Sequence, residues 1–94
     1  MSYYVYMLKS KGIKPVTYVG YTKNIKERLS LHNSGKGAKF TRGRTWKIMY
    51  TEKYLTKNKA ISRECYIKKN RKIRNSIKKN YLNEKKFNSN ITSL

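Results

Sequence analysis

With 24 Lys+Arg against 4 Asp+Glu in 94 residues, the chain carries a net charge of +20, a surplus that repels itself in any compact state. That length allows one domain and excludes a second hydrophobic core. A hydrophobic content of 37% with nine tyrosines still suffices for a small packed interior, which excludes wholesale disorder.

A cationic excess of this size suits a polyanionic partner, nucleic acid ahead of an acidic membrane surface. A lysine- and asparagine-rich genome is the bland source of the same composition. One cysteine, Cys65, excludes an internal disulfide, and no Cys/His group has zinc-ligand spacing. The start MSYYVYMLKS lacks the basic and long apolar regions of a secretory signal. No apolar run approaches the roughly 20 residues that span a bilayer. The expectation is a soluble, cytoplasmic protein with no membrane partner.

Residues 3–8 are aromatic and β-branched, hence a strand. Its alternation puts Tyr4, Tyr6 and Leu8 on one face and Tyr3, Val5 and Met7 on the other. Lys9 to Pro15 reads as a loop, and Val16 to Gly20 as a second, antiparallel strand with Tyr18 and Gly20 on one face. In matching register, Tyr6 and Tyr18 become neighbours. Thr22 or Asn24 caps a helix that ends at Asn33-Ser34-Gly35. Residues 35–43 form a basic, glycine-punctuated connector with room for one helical turn. Trp46 to Lys53 supplies a third strand. Thr56 or Asn58 opens a helix from Lys59 to about Lys69, with a break near Asn70 and a continuation through Ile73, Ile77 and Leu82. The order β-β-α-β-α-α predicts a small α+β domain, a three-stranded antiparallel sheet flanked by helices.

Two helices carry polar side chains where packing disfavours them. Ile25 and Leu29 mark the buried stripe of the first helix, and Arg28 and His32, one turn apart, fall within or beside it. On the long helix Ala60, Ile61 and Cys65 mark the apolar face, with Glu64 between Ala60 and Cys65. A carboxylate there is costly unless paired or bound to metal. Each residue also has an ordinary reading: an i,i+4 pair of Glu64 with Lys68, a solvated Arg28, a satisfied helical His32. The combination is what matters. A phenol or imidazole to move a proton, a cation for phosphate charge and a carboxylate for a divalent metal are the parts of a phosphodiester-cleaving site.

Tyr4-Val5-Tyr6, Tyr18-Val19-Gly20, Arg28 ten residues after Tyr18, His32, the connector from Leu31 to Gly43, and Ser62-Arg63-Glu64 followed by Ile67-Lys68 come in one order. This order resembles that of the GIY-YIG nuclease superfamily, specifically its small stand-alone members, over residues 3–80. Tyr4 stands where the first motif has glycine, and Tyr21 where some branches have lysine. The resemblance implies a nuclease domain over residues 1–83, with 84–94 as a flexible tail. It implies a metal-dependent DNA endonuclease that leaves 5′-phosphate and 3′-hydroxyl ends, directed by structure rather than sequence and serving repair or recombination. Tyr6, Tyr18, Arg28, His32 and Glu64 would be catalytic, and Gly20 structural. Glu64 would hold one largely hydrated Mg²⁺ (or Mn²⁺), and Arg28 would brace the scissile phosphate. Either Tyr18 or His32 would take the proton; a phenol, titrating near 10, needs nearby positive charge for that task. Lys36, Lys39, Arg42, Arg44 and Lys68 would follow the phosphate backbone. Branched, nicked or single-stranded DNA is the expected partner, with RNA and a targeting protein as further candidates. The competing expectation is a non-catalytic basic protein that keeps the fold and binds nucleic acid.

Overall fold

A computed structural model describes the backbone of residues 2–92 and the side chains of residues 2–84. Six elements follow one another: β1 (Tyr3–Ser10), β2 (Thr17–Thr22), α1 (Ile25–Asn33), β3 (Trp46–Tyr54), α2 (Lys57–Lys69) and α3 (Arg71–Thr92). The architecture is the predicted α+β order β-β-α-β-α-α. The flexible tail expected at 84–94 falls, beyond residue 84, outside the described side chains.

The sheet runs β2-β1-β3, antiparallel throughout. β1 is central and covered on both faces, so Val5, Tyr6, Met7 and Leu8 are all buried in succession. Alternation sends Val5 and Met7 into one core layer with Val19, Ala60, Ile67 and Ile77. Tyr6 and Leu8 enter the other with Trp46, against which Val16, Tyr18, Leu29 and Ile48 pack. Thus α2 and α3 cover one face and α1 the other. The register pairs Tyr6 with Gly20 and Leu8 with Tyr18, which makes Tyr6 and Tyr18 diagonal neighbours on the α1 side. A bulge lies between Met7 and Leu8 in the pairing with β3. There Met49 and Tyr50 both pack toward the α2/α3 layer, so β3 does not alternate as its sequence suggests.

Local chemistry sets the ends. Asn24, not Thr22, caps α1: its Oδ1 accepts from the Glu27 N–H at 3.1 Å, while Thr22 closes β2. Gly35, at φ 83°, lets the Lys36 N–H return to the Leu31 carbonyl at 2.8 Å and stops α1. Thr56, not Asn58, caps α2. Asn70 ends α2 and accepts from the Ile73 N–H at 3.1 Å, opening α3. Arg74 donates to the Ile67 carbonyl at 2.9 Å and to that of Lys68, a cation at the negative end of α2. The 35–43 connector contains turns and no helical element.

Two predicted stripes are corrected. In α1 the fully buried residue is His32, with Ile25 and Leu29 only half-buried. In α2 the buried residues are Ala60 and Ile67; Ile61 is 38% exposed and Cys65 is also exposed. At 100° per residue Glu64 lies about 40° from Ala60, on the side away from Ile67. The small Ala60 lets α2 approach the sheet closely, which the larger Ile61 side chain would not. α2 is further keyed by Glu52 of β3, which accepts a fork of hydrogen bonds from Arg63 at 2.9 and 3.0 Å. Tyr54 donates to the same carboxylate at 2.7 Å, as does Tyr50. Burial works against ionisation of Glu52, but these donors outweigh it and hold its pKa below the usual carboxylate value.

Candidate active site

Beside β2, a free edge strand, a chain of hydrogen bonds runs inward from the connector. The Thr41 hydroxyl donates to the Ala38 carbonyl at 2.9 Å. Having one proton, it must accept from His32 Nδ1, also 2.9 Å away. His32 therefore carries its proton on Nδ1 and presents Nε2 as an acceptor. The Tyr6 hydroxyl, 2.8 Å from that nitrogen, donates to it. Thr41 and His32 are both completely buried and Tyr6 is 2% exposed, so the chain is dry. Burial first, and then the charge of Arg28, hold the His32 pKa below the ordinary imidazole value. Burial pushes the Tyr6 phenol up to about 12, against an opposing hydrogen bond and positive charge from Arg28. Both residues are neutral near pH 7.

Two bare glycines make room for this pair. A Cβ on Gly20 would lie 2.5 Å from the Tyr6 hydroxyl oxygen and 2.7 Å from Cζ; one on Gly37 would lie 2.8 Å from His32 Cγ. Neither distance is one that real Cβ atoms adopt.

Tyr18 forms the outer wall. Its ring centroid is 5.0 Å from that of His32 and 6.5 Å from that of Tyr6, and the residue is half-buried. Arg28 comes from α1; its Nε is buried and has no hydrogen-bond partner among the described residues. An unspent buried donor is costly in a folded protein and calls for a partner from outside.

Glu64 belongs to α2, in the opposite layer, yet it acts on the same place. Tyr6 senses the negative charge of Glu64 as well as the positive charge of Arg28. One turn on, Lys68 pairs with Glu64 at 3.1 Å and sets its Nζ 5.7 Å from the centre of the Tyr18 ring. These contacts bring α2's charged side chains round the β2 edge. The Glu64 side chain is 16% exposed. Of the four acidic residues, Glu52 is committed to Arg63, while Glu27 and Glu84 are exposed, leaving Glu64 at the tyrosines.

The structure thus brings together Tyr6, Tyr18, Arg28, His32 and Glu64, with Gly20 beneath Tyr6. Lys36, Lys39, Arg42 and Arg44 are all exposed on the connector, and Lys68 is the ion-pair partner of Glu64. Tyr21 packs into the other layer, away from Tyr18.

The family model described as "GIY-YIG catalytic domain" matches residues 2–87. The chain belongs to the GIY-YIG family. Among curated relatives of this GIY-YIG chain, UPF0213 protein CPE1444 of Clostridium perfringens is 49% identical over 67 residues, covering 70% of each chain. UPF0213 protein BLi00048/BL00536 of Bacillus licheniformis is 42% identical over 86 residues, 90% of this chain and 84% of the relative. The solution NMR structure of UPF0213 protein BH0048 from Bacillus halodurans matches with a TM-score of 0.50 and 35% identity over 82% of both chains. GIY-YIG domains are nuclease-type hydrolases that generally use divalent metal ions. Among the described residues no group of three or more His, Cys, Asp or Glu could hold an ion. The lone Glu64 carboxylate fits a hard cation that keeps most of its waters. No helix of the described residues is long and apolar enough to cross a membrane.

Sequence reasoning missed Thr41, which orients His32, and Gly37, which makes room for its ring. Nothing local marks either: Thr41 lies in a polar turn, and its burial comes from Trp46, whose indole N–H donates to the Thr41 carbonyl at 2.9 Å. Asn33 grips Trp46 from the end of α1, accepting from its N–H at 2.6 Å and donating to its carbonyl at 3.2 Å.

Proposed function

We propose that the protein is a divalent-metal-dependent DNA endonuclease. It hydrolyses phosphodiester bonds to 5′-phosphate and 3′-hydroxyl ends and selects its substrate by structure rather than sequence, in repair or recombination. The observation that carries this reading is the convergence of the Tyr6–His32 pair, Tyr18, Arg28 and Glu64 beside one sheet edge.

Arg28, with a donor unspent, binds and orients the scissile phosphate through its planar fork. His32 is fully buried, with its pKa lowered and both ring nitrogens engaged; it holds Tyr6 in place and does not reach the attacking water. Tyr18, half-buried at the mouth, is the residue that meets that water and, once its own phenolic proton has passed to solvent, takes the water's proton. Glu64 would hold Mg²⁺ or Mn²⁺, and when bound the ion neutralises charge on the departing 3′-oxygen. Lys68, which occupies the carboxylate otherwise, moves toward the nucleic acid. Lys36, Lys39, Arg42 and Arg44 contact backbone phosphates, which carry no base information. Compact size and basic surface suit a cytoplasmic enzyme working on DNA, with RNA or a targeting protein as further partners.

The test is a nicking assay on intact, nicked, forked and single-stranded DNA with Mg²⁺ or Mn²⁺. Cutting should stop with EDTA, and DNA ligase should reseal the nicks. Glu64→Ala and Arg28→Ala should abolish cutting and largely spare binding. Parent-like cutting by both variants would refute the site. A parent that binds every substrate and cuts none would leave the non-catalytic binding protein, the reading that the Glu64–Lys68 pair favours.

A further inference from the structure

Phe40 is a large apolar ring without a polar tip, set in the basic connector, and it is 57% exposed. It is also ordered against its neighbours. Its ring lies nearly parallel to that of Tyr18, 21° between planes with centroids 6.1 Å apart, and 6.3 Å from that of Trp46. Phe40 and Tyr18 together line a hollow of about 310 Å³ whose other walls include Thr17, Lys68 and Arg74. A second hollow shares Thr17 and Arg74 with the first and continues beyond the start of β2, past Val16 to Pro15, walled by Arg71 and Lys78 of α3. Among the described residues no carboxylate lines either one. The two form a basic track that starts at the proposed water-binding tyrosine and opens on an exposed aromatic face.

A row of cations with an aromatic face at one end is the arrangement that holds single-stranded nucleic acid. The cations follow phosphates whatever the base. The ring takes a base whose faces are free, and in a duplex both faces of each base are already stacked on neighbours. Such a platform beside Tyr18 therefore selects an unpaired nucleotide at the cleavage point. We propose that Phe40 is a base-stacking site for single-stranded DNA, receiving the nucleotide next to the scissile phosphate while Arg71, Arg74 and Lys78 carry the adjoining strand past the start of β2. This rests on the reading of Tyr18 as part of a nuclease centre.

The test uses the full chain in EDTA, where nothing is cut. An oligodeoxythymidylate strand, a duplex of equal length and heparin (a polyanion without bases) serve as probes. Phe40→Ala should weaken single-strand binding about tenfold or more, the effect of losing one base–aromatic stack. It should change duplex and heparin affinity less than about twofold, and Phe40→Trp should restore the parent value. A strand carrying a single 2-aminopurine should be quenched by the parent and not by Phe40→Ala. Equal losses on all three probes, no loss on any, or no quenching in the parent would overturn the proposal. The outcomes also separate the two readings. Quenching by a parent that never nicks would sink the nuclease and keep the platform. Nicking by a parent whose strand binding ignores Phe40 would do the reverse.

Discussion

Replacing Thr41 with valine keeps the shape of the side chain and deletes one hydroxyl on which three hydrogen bonds meet. Two join it to the Ala38 backbone, at 2.9 and 3.3 Å, and one to His32 Nδ1 at 2.9 Å. The Ala38 carbonyl keeps a second partner, the Thr41 N–H at 3.2 Å; the part-buried Ala38 N–H loses its bond of 3.3 Å, and the larger cost falls on His32, whose Nδ1–H is left fully buried and unpaired. An orphaned buried donor costs about 1–3 kcal/mol. At about 4–8 °C per kcal/mol for a domain of this size, a loss near 2 kcal/mol lowers Tm by about 8–16 °C. The imidazole has one escape, which is to move its proton to Nε2 and turn Tyr6 from a donor into an acceptor. Thermal unfolding gives the first quantity and histidine ¹⁵N chemical shifts give the second. Thr41→Ser, which keeps the hydroxyl, should sit much closer to the parent in both. If Thr41→Val melts within a degree of the parent and leaves the proton on Nδ1, the relay from connector to Tyr6 is wrong.

Gly20→Ala should be disproportionate for one methyl group: its Cβ meets Tyr6 Cζ at 2.7 Å and the far side of that ring is held by His32. A loss of about 1–3 kcal/mol, as for other overpacked cores, with a matching fall in nicking rate is expected; an unchanged Tm would disprove the contact. Stability should also vary with pH in two windows. The folded His32 pKa lies below the ordinary value, so below about 6.5 the unfolded chain takes up a proton that the folded one refuses, and stability falls with pH until the folded value is passed. The Tyr6 pKa is raised from 10.0 to about 12, so its contribution is complete below 10 and lost as pH rises toward 12. Tm measured from pH 5 to 11 should peak between these limits, and His32→Gln should flatten the acid limb; an acid limb that persists unchanged assigns it elsewhere.

Features governed by one or two neighbouring residues were readable from the chain. Strand alternation has a period of two wherever no bulge breaks it, as one does in β3, so Tyr6, Tyr18 and Gly20 could be placed on one face before any packing was known. Asn24, Thr56, Gly35 and Asn70 act on backbone groups within a few residues, and the helix ends fall on or beside them. The orientation of α2 was not readable. It has few large apolar side chains, so its inward direction comes from the close fit of Ala60 to the sheet and from the clasp of Arg63 on Glu52, partners 11 residues apart. Thr41 and Phe40 are neighbours in a loop, yet one is sealed inside and the other stands in solvent. Their fates depend on where Trp46 and Tyr18 arrive, and burial is a property of the assembled molecule, not of a segment.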